Sequence, residues 1–193
     1  MPVLRDMGKW NHENGNRYIS ARQAYYKNDN AVENVIRYIT RTRANETRRN
    51  ELICYGGAGV DITASPAEII NQFLMVQDFY KINERGGRRL IHEVYSFTDE
   101  EFNLLNNDYA LINLIAREIS AYFFDQGYMV VYAIHCEIDK RVHIHFAVNS
   151  INYYNGKKFV SKGEDFKNRI AIFQSIYQNI LNYARRTKLC IMQ

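Results

Sequence analysis

Two neighbouring runs, YMVVYAIHCE (128–137) and RVHIHFAVNSI (141–151), constrain the fold more than any other part of the chain. Both are rich in β-branched and aromatic residues, and in the second the apolar positions alternate from Val142 onward. Only a short charged segment separates them, so they are predicted to pair as an antiparallel hairpin. Successive side chains of a strand face opposite ways. Val142, Ile144, Phe146 and Val148 are therefore the core-facing set, and His143, His145, Ala147 and Asn149 share the other face. On the first run, His135 and Glu137 fall opposite Val130, Tyr132, Ile134 and Cys136. Once the strands pair, three of the five histidines converge on one polar patch.

The rest of the sequence supplies the elements that cover such a hairpin. Residues 1–17 read as an irregular leader and YISARQAYY (18–26) as a first strand. NDNAVENVIRYITR reads as a helix capped by Asn28, Asp29 or Asn30, with Ala31, Val32, Val35, Ile36 and Ile39 as its apolar stripe. Residues 42–64 read as a long basic loop with a glycine cluster. SPAEIINQFLMVQDFYKIN has Ser65 as N-cap and Pro66 at the first helical position, with Ile69, Ile70, Phe73, Leu74 and Met75 on a buried face. RRLIHEVYSF (88–97) is a strand. A capping box, Thr98 to Glu101, opens one long helix or two that end at Gly127. GKKFV is expected to add a short strand, and DFKNRIAIFQSIYQNILNYARR is a last amphipathic helix. Mixed elements around an antiparallel hairpin predict an α+β fold. It is a central antiparallel sheet of about five strands with helices packed on its faces, a two-layer or three-layer sandwich. At 193 residues the chain is expected to form one domain, 1–193.

Composition narrows the function classes. Apolar residues make up 47% of the chain, enough for a packed core and too many for a disordered segment. Cys54, Cys136 and Cys190 are odd in number and lack CxxC spacing, which argues against a thiolate zinc site and points to a reducing compartment. There is no apolar signal region, and the longest apolar run is too short to cross a bilayer, so a cytoplasmic location is expected. The net charge of +4 is compatible with nucleic acid without requiring it. Local clusters say more: Arg37, Arg41, Arg43, Arg48 and Arg49 form one, Arg85, Arg88 and Arg89 a second, and Arg185, Arg186 and Lys188 a third. Each is either a solvated face or a surface for a polyanion.

Three neutral imidazoles in register, His135, His143 and His145, suit a divalent metal with open coordination positions. Neutral ligands leave the full charge of the ion available to an anionic substrate oxygen. Glu137 or Asp139 is placed to orient a ligand ring. His92 and Ser96 share a face of the 88–97 strand, either as ordinary half-buried polar positions or as a further wall of the same site. Tyr38 falls at the edge of the apolar stripe of its helix, where it either packs at a boundary or reaches a cleft between helix and sheet.

The segments RYIT, LIHEVYSF and HCEIDKRVHIHFAVN, in that order, resemble the motifs of the relaxases, the mobilization nucleases of conjugative elements. The match is closest to the MOBP type within the HUH endonucleases. The resemblance spans roughly residues 30–165 and implies a sheet-based nuclease that nicks an origin of transfer. It implies that Tyr38 is the nucleophile, forming a 5′-phosphotyrosine. It also implies that Ser96 of the His92-x-x-x-Ser96-Phe97 motif holds DNA at the nick, and that His135, His143 and His145 hold the metal, Mn²⁺ or Mg²⁺. His92 and Glu137 are then catalytic candidates. Arg37, Arg41, Arg43, Arg48, Arg49, Arg88, Arg89 and Asn149 are expected to contact DNA. The implied partners are single-stranded or locally melted DNA, accessory DNA-binding proteins and the coupling protein of a secretion system. The sequence departs from the family pattern in two places: Glu137 stands where Asp is usual, and the gap from His135 to His143 is one residue longer. Alternatives are a rolling-circle replication initiator that uses Tyr177 or Tyr183, and a non-catalytic DNA-binding accessory protein.

Overall fold

The computed structural model describes residues 3–5, 20–137, 142–161 and 163–191. In chain order its elements are β1 (Val3–Arg5), β2 (Ser20–Tyr26), α1 (Ala31–Ile39), a 3-10 turn (Arg49–Glu51), β3 (Leu52–Ala58), α2 (Pro66–Phe79), α3 (Ile82–Arg85), β4 (Leu90–Ser96), α4 (Asp99–Leu104), α5 (Tyr109–Asp125), β5 (Val130–His135), β6 (His143–Asn149) and α6 (Gly163–Ile191). Among the described residues six strands form one sheet in the order β1-β2-β4-β6-β5-β3, and every neighbouring pair is antiparallel. The predicted hairpin is β5–β6, registered with His135 opposite His143 and Ala133 opposite His145.

The alternation of each strand divides the sheet between two cores. Leu90, Val131, Ala133 and Ala147 face α1 and α2, meeting Val32, Ile36, Ile39, Ile69 and Phe73. Ile91, Tyr95, Val130, Tyr132, Ile134, Ile144, Phe146 and Val148 face the other way, toward Ile115, Ile119, Phe123 and Phe173 of α5 and α6. The fold is thus α+β with three layers. Each fully buried Ile or Phe contributes about 1.5–3 kcal/mol, so both helical layers are held mainly by apolar burial. The histidine face of β6 is the α1 side.

The structure departs from the sequence reading in five places. The expected loop of 42–64 contains β3, an edge strand against β5. Its two glycines masked the strand pattern. At Gly56 the Tyr132 ring lies where a Cβ would be, and the Tyr132 hydroxyl donates to Asn113 Oδ1 at 2.7 Å, so the glycine makes room for a cross-strand ring. The 1–17 segment, expected to be irregular, contributes β1, which pairs with β2 from Val3–Tyr25 to Arg5–Gln23. Met75, expected on the buried face of α2, is 68% exposed, because Ile69, Ile70 and Phe73 already fill the contact with α1. GKKFV adds only an isolated bridge between Ile151 and Lys158. Asn30 takes the cap position of α1 without a side-chain capping bond. Ser65 and Thr98 both close the expected capping boxes, with Glu68 and Glu101. Of the two helical readings after Thr98, the chain adopts the broken one: Asn106 and Asn107 take left-handed φ of 58° and 55° between α4 and α5.

Candidate metal and nucleophile site

Three histidines meet on the α1 side of the β5–β6 hairpin. Ring centroids lie 4.6 Å apart for His135 and His145, 4.8 Å for His143 and His145, and 5.4 Å for His135 and His143. One nitrogen from each falls within 4.8 Å of the others, a spacing that can hold a metal ion. All three residues are buried. Burial, more than the neighbouring charges, holds His135 down to about 4 and His145 well below the ordinary imidazole value, so both rings are neutral donors near pH 7.

The donor set fits a metal. His145 Nε2 is buried and has no hydrogen-bond partner among the described residues, while its Nδ1 lies 2.9 Å from His92 Nε2. A lone pair on Nε2 requires a hydrogen on Nδ1, which then donates to His92. His92, also buried and lowered to about 4, is neutral and able to accept. This is the usual way a ligand ring is held by its second nitrogen. His135 Nε2 donates to the Ile39 carbonyl at 2.6 Å, leaving Nδ1 as its acceptor atom. Arg41 Nη2 sits 3.2 Å from that nitrogen and donates to it, so an ion bound there takes the lone pair in place of Arg41, which keeps Glu51 and Glu137 as partners.

Arg41 is the residue whose role the sequence did not reveal. Helix α1 ends in a Schellman closure, with Thr42 N donating to Arg37 O at 2.9 Å and Arg41 N to Tyr38 O at 3.3 Å. The left-handed position of that closure, usually glycine, is Arg41 itself at φ 53°. Its side chain lies beneath the histidines, bonded to Glu51 Oε2 at 2.8 Å and Glu137 Oε1 at 3.1 Å. Of the two candidate carboxylates, Glu137 is at the site, 3.9 Å from His143 Nε2; Asp139 lies outside the described residues.

Tyr38, on the last turn of α1, places its half-buried ring 5.4 Å from that of His145, 6.3 Å from His92 and 6.4 Å from His135. The guanidinium groups of Arg43 and Arg41 lie 4.8 Å and 5.2 Å from the ring centroid. Arg43 is exposed and tethered to the Asn34 carbonyl at 3.0 Å. Tyr26, which the sequence did not single out, adds a ring 6.2 Å from His92; burial, then the nearby Tyr38, raises its phenol. Ser96 is half-buried at the His143 end of β4, registered opposite that histidine.

The remaining expected residues divide by burial. Arg48 and Arg49 are exposed beside the site, with Arg48 Nη1 4.0 Å from Glu137. Arg37 is half-exposed and paired with Glu33 at 2.8 Å. Arg88 is half-buried, and its carbonyl accepts from Ser150. Arg41 and Arg89 are buried, Arg89 against Asp29 at 2.7 Å, so neither presents its charge to solvent. Asn149 is fully buried: Gln77 and the Ile151 N–H donate to its Oδ1, and its Nδ2 donates to the Phe73 carbonyl. It locks β6 to α2 rather than facing outward. Tyr177 is in the opposite core, its hydroxyl donating to the Glu101 carbonyl, and Tyr183 is exposed on the same helix, α6.

Comparison with known proteins bears on the family and the fold. A family described as "Relaxase: MobA/VirD2-like, nuclease domain" matches residues 38–180, which begin at Tyr38 and span every element from the end of α1 to most of α6. A solved structure described as "Molecular Basis of Vancomycin Resistance Transfer in Staphylococcus aureus" shares the fold, with a TM-score of 0.53 and 11% identity over 89% of this chain and 94% of that one. Among curated proteins none matches.

Proposed function

The chain belongs to the MobA/VirD2-like relaxase family of DNA-nicking enzymes, and from that premise we propose that it cuts one DNA strand at an origin of transfer by tyrosine transesterification. The observation that carries this reading is the placement of Tyr38 against the three-histidine cluster, 5.4 Å ring to ring from His145. In the proposed reaction the Tyr38 oxygen attacks phosphorus and the 3′ oxygen leaves. A 5′-phosphotyrosine and a free 3′-hydroxyl result, so the phosphodiester energy is kept for rejoining. A divalent ion, Mn²⁺ or Mg²⁺, bound to His135, His143 and His145 would supply Lewis-acid charge beside a phosphate oxygen.

The chain's own residues define the rest. His92 is a positioning residue, since its contact with His145 fixes that ring. Glu137 and Arg41 fix the His135 and His143 side of the site. Arg43, over the Tyr38 ring, is placed to meet a phosphate next to the nucleophile. Ser96, beside His143, is placed to hold the strand near the cut. Arg48 and Arg49 face the backbone beyond it. The substrate strand is proposed to be unpaired at the cut, so that its phosphate can reach the half-buried Tyr38 ring.

The rolling-circle alternative has its tyrosines on α6, the layer on the far side of the sheet from the histidines. No helix among the described residues is long and apolar enough to cross a membrane; the protein is proposed to act in the cytoplasm, with accessory DNA-binding proteins and a coupling protein as partners. The decisive experiment incubates the protein with origin-containing single strands and Mn²⁺. Wild type is expected to form a covalent adduct whose linked peptide contains Tyr38, and Tyr38→Phe to form none. An adduct mapped to Tyr177 or Tyr183 sinks the assignment.

A further inference from the structure

The end of the sheet away from the histidines carries a group of aromatic rings that the proposed chemistry does not use. Phe79, the last residue of α2, is 79% exposed, and Tyr154, in the turn after β6, is 70% exposed. They are joined through two half-buried rings. Phe79 lies edge-on to Tyr80 at 4.9 Å, the Tyr80 hydroxyl donates to the Tyr153 carbonyl at 3.0 Å, and Tyr153 lies 4.0 Å from Tyr154. Phe124 stacks on Tyr153 at 5.5 Å with the planes 14° apart. The Tyr80 ring occupies the space that a side chain at Gly156 would fill, so helix and turn are pinned together. The result is a rigid platform and not two loose surface rings.

Cationic side chains flank it in the sequence. Lys81 follows Tyr80, Lys157 and Lys158 follow the turn, and Arg88 lies on the loop that Lys158 Nζ holds through the Gly86 carbonyl. Asp78, Glu84 and Asp125 are the acidic residues beside the same segments in the sequence, a balance of one positive charge. The platform also lies on the histidine side of the sheet, since α2 and Tyr153 pack on that core. The four steps along the strand from His145 to Asn149 cover about 14 Å, and the turn begins just beyond. Roughly five stacked nucleotides, at about 3.4 Å each, span that distance.

We propose that Phe79 and Tyr154, backed by Tyr80 and Tyr153, form a stacking site for unpaired bases of the same DNA strand whose phosphate meets Tyr38. The inference rests on the DNA-nicking reading and extends it to a second contact. Exposed rings interleaved with lysines bind single strands with little sequence preference, because every base offers a π face.

The test is a ladder of fluorescent, mixed-sequence single-stranded oligonucleotides of about 3, 6 and 12 nucleotides, read by anisotropy, a length range chosen to bracket the span above. Wild type is expected to gain affinity once the probe can reach both places. Phe79→Ala with Tyr154→Ala is expected to lose about tenfold or more on the long probes, the scale of base–aromatic stacking, and little on the shortest. Phe79→Trp should restore the gain. Bromodeoxyuridine-substituted probes should photocrosslink to peptides containing Phe79 or Tyr154. Equal affinity of wild type and the double variant on every length overturns the proposal. So does a variant with unchanged DNA binding but altered self-association, which would make the platform a protein interface. The ladder needs no strand cleavage, so a failure of the nicking reading would appear separately, as length-dependent affinity without a Tyr38 adduct.

Discussion

Arg41 shows how much one side chain decides here. A left-handed residue other than glycine costs on the order of 1 kcal/mol or more and persists only where its surroundings fix it. Glu51, Glu137 and the acceptor nitrogen of His135 do so. Removing the cation leaves two carboxylates together in a poorly solvated place, with only the exposed Arg48 at 3.9 Å and 4.0 Å to offset them. Arg41→Met is therefore expected to destabilise the fold by about 3–5 kcal/mol, read from the denaturant midpoint. Arg41→Gly relieves the backbone but keeps the charge conflict, so it should not recover that loss. The histidines set a second expectation at this scale. His92 and His135 titrate near 4 in the folded protein, against about 6.5 when unfolded. Between those values the unfolded chain takes up protons that the folded one refuses, so stability present above pH 6.5 is lost as pH falls toward 4. Each ring contributes about 3 kcal/mol to that loss. Metal-free protein unfolded by urea at a series of pH values tests it: a flat profile from 6.5 to 4 would contradict the buried, neutral rings. The histidine cluster was legible in the sequence because strand alternation is local. Arg41 was not, because an arginine in a basic run looks the same whether it points to solvent or folds under its helix.

Among the elements, β3 teaches most. Its sequence, LICYGGA, carries two glycines that read as a loop. As an edge strand it needs only one neighbour, and β5 provides it. Gly56 is then required for a packing reason that lies 76 residues away, in the Tyr132 ring. Gly56→Ala is expected to destabilise by about 1–3 kcal/mol, because the ring is rigid and its hydroxyl is anchored to Asn113. The loss should shrink when combined with Tyr132→Phe or Tyr132→Leu, and thermal melts of the double variants would show it. Helix α1 was legible for the opposite reason: its stripe from Ala31 to Ile39 is periodic, and all five stripe residues are buried as expected. Asn149 falls between these two cases. Its position on the polar face is local information, but its burial under Gln77 and Phe73 depends on α2.

For the whole molecule, a formal charge of +4 tells little until burial sorts it. Arg41, Arg89 and Arg169 are buried against carboxylates, whereas Arg43, Arg48 and Arg49 are exposed on the histidine side. Only the exposed group can displace counterions. Arg49→Ala is expected to reduce the slope of log affinity against log salt for a single strand by about 0.7, and Arg89→Ala to leave that slope unchanged while lowering stability. A matched pair of salt titrations separates the two. The sequence by itself determined the α+β class, the central hairpin, the α1 stripe and the shared face of His135, His143 and His145, because periodicity and capping act over a few residues. Only the tertiary structure decided that helices cover both faces of the sheet. It alone showed that a glycine-rich stretch is an edge strand, which arginines face solvent, and that Tyr38 rather than Tyr177 or Tyr183 shares a layer with the histidines. Each of these depends on which distant segment covers a given face, and that pairing leaves no local signal in the chain.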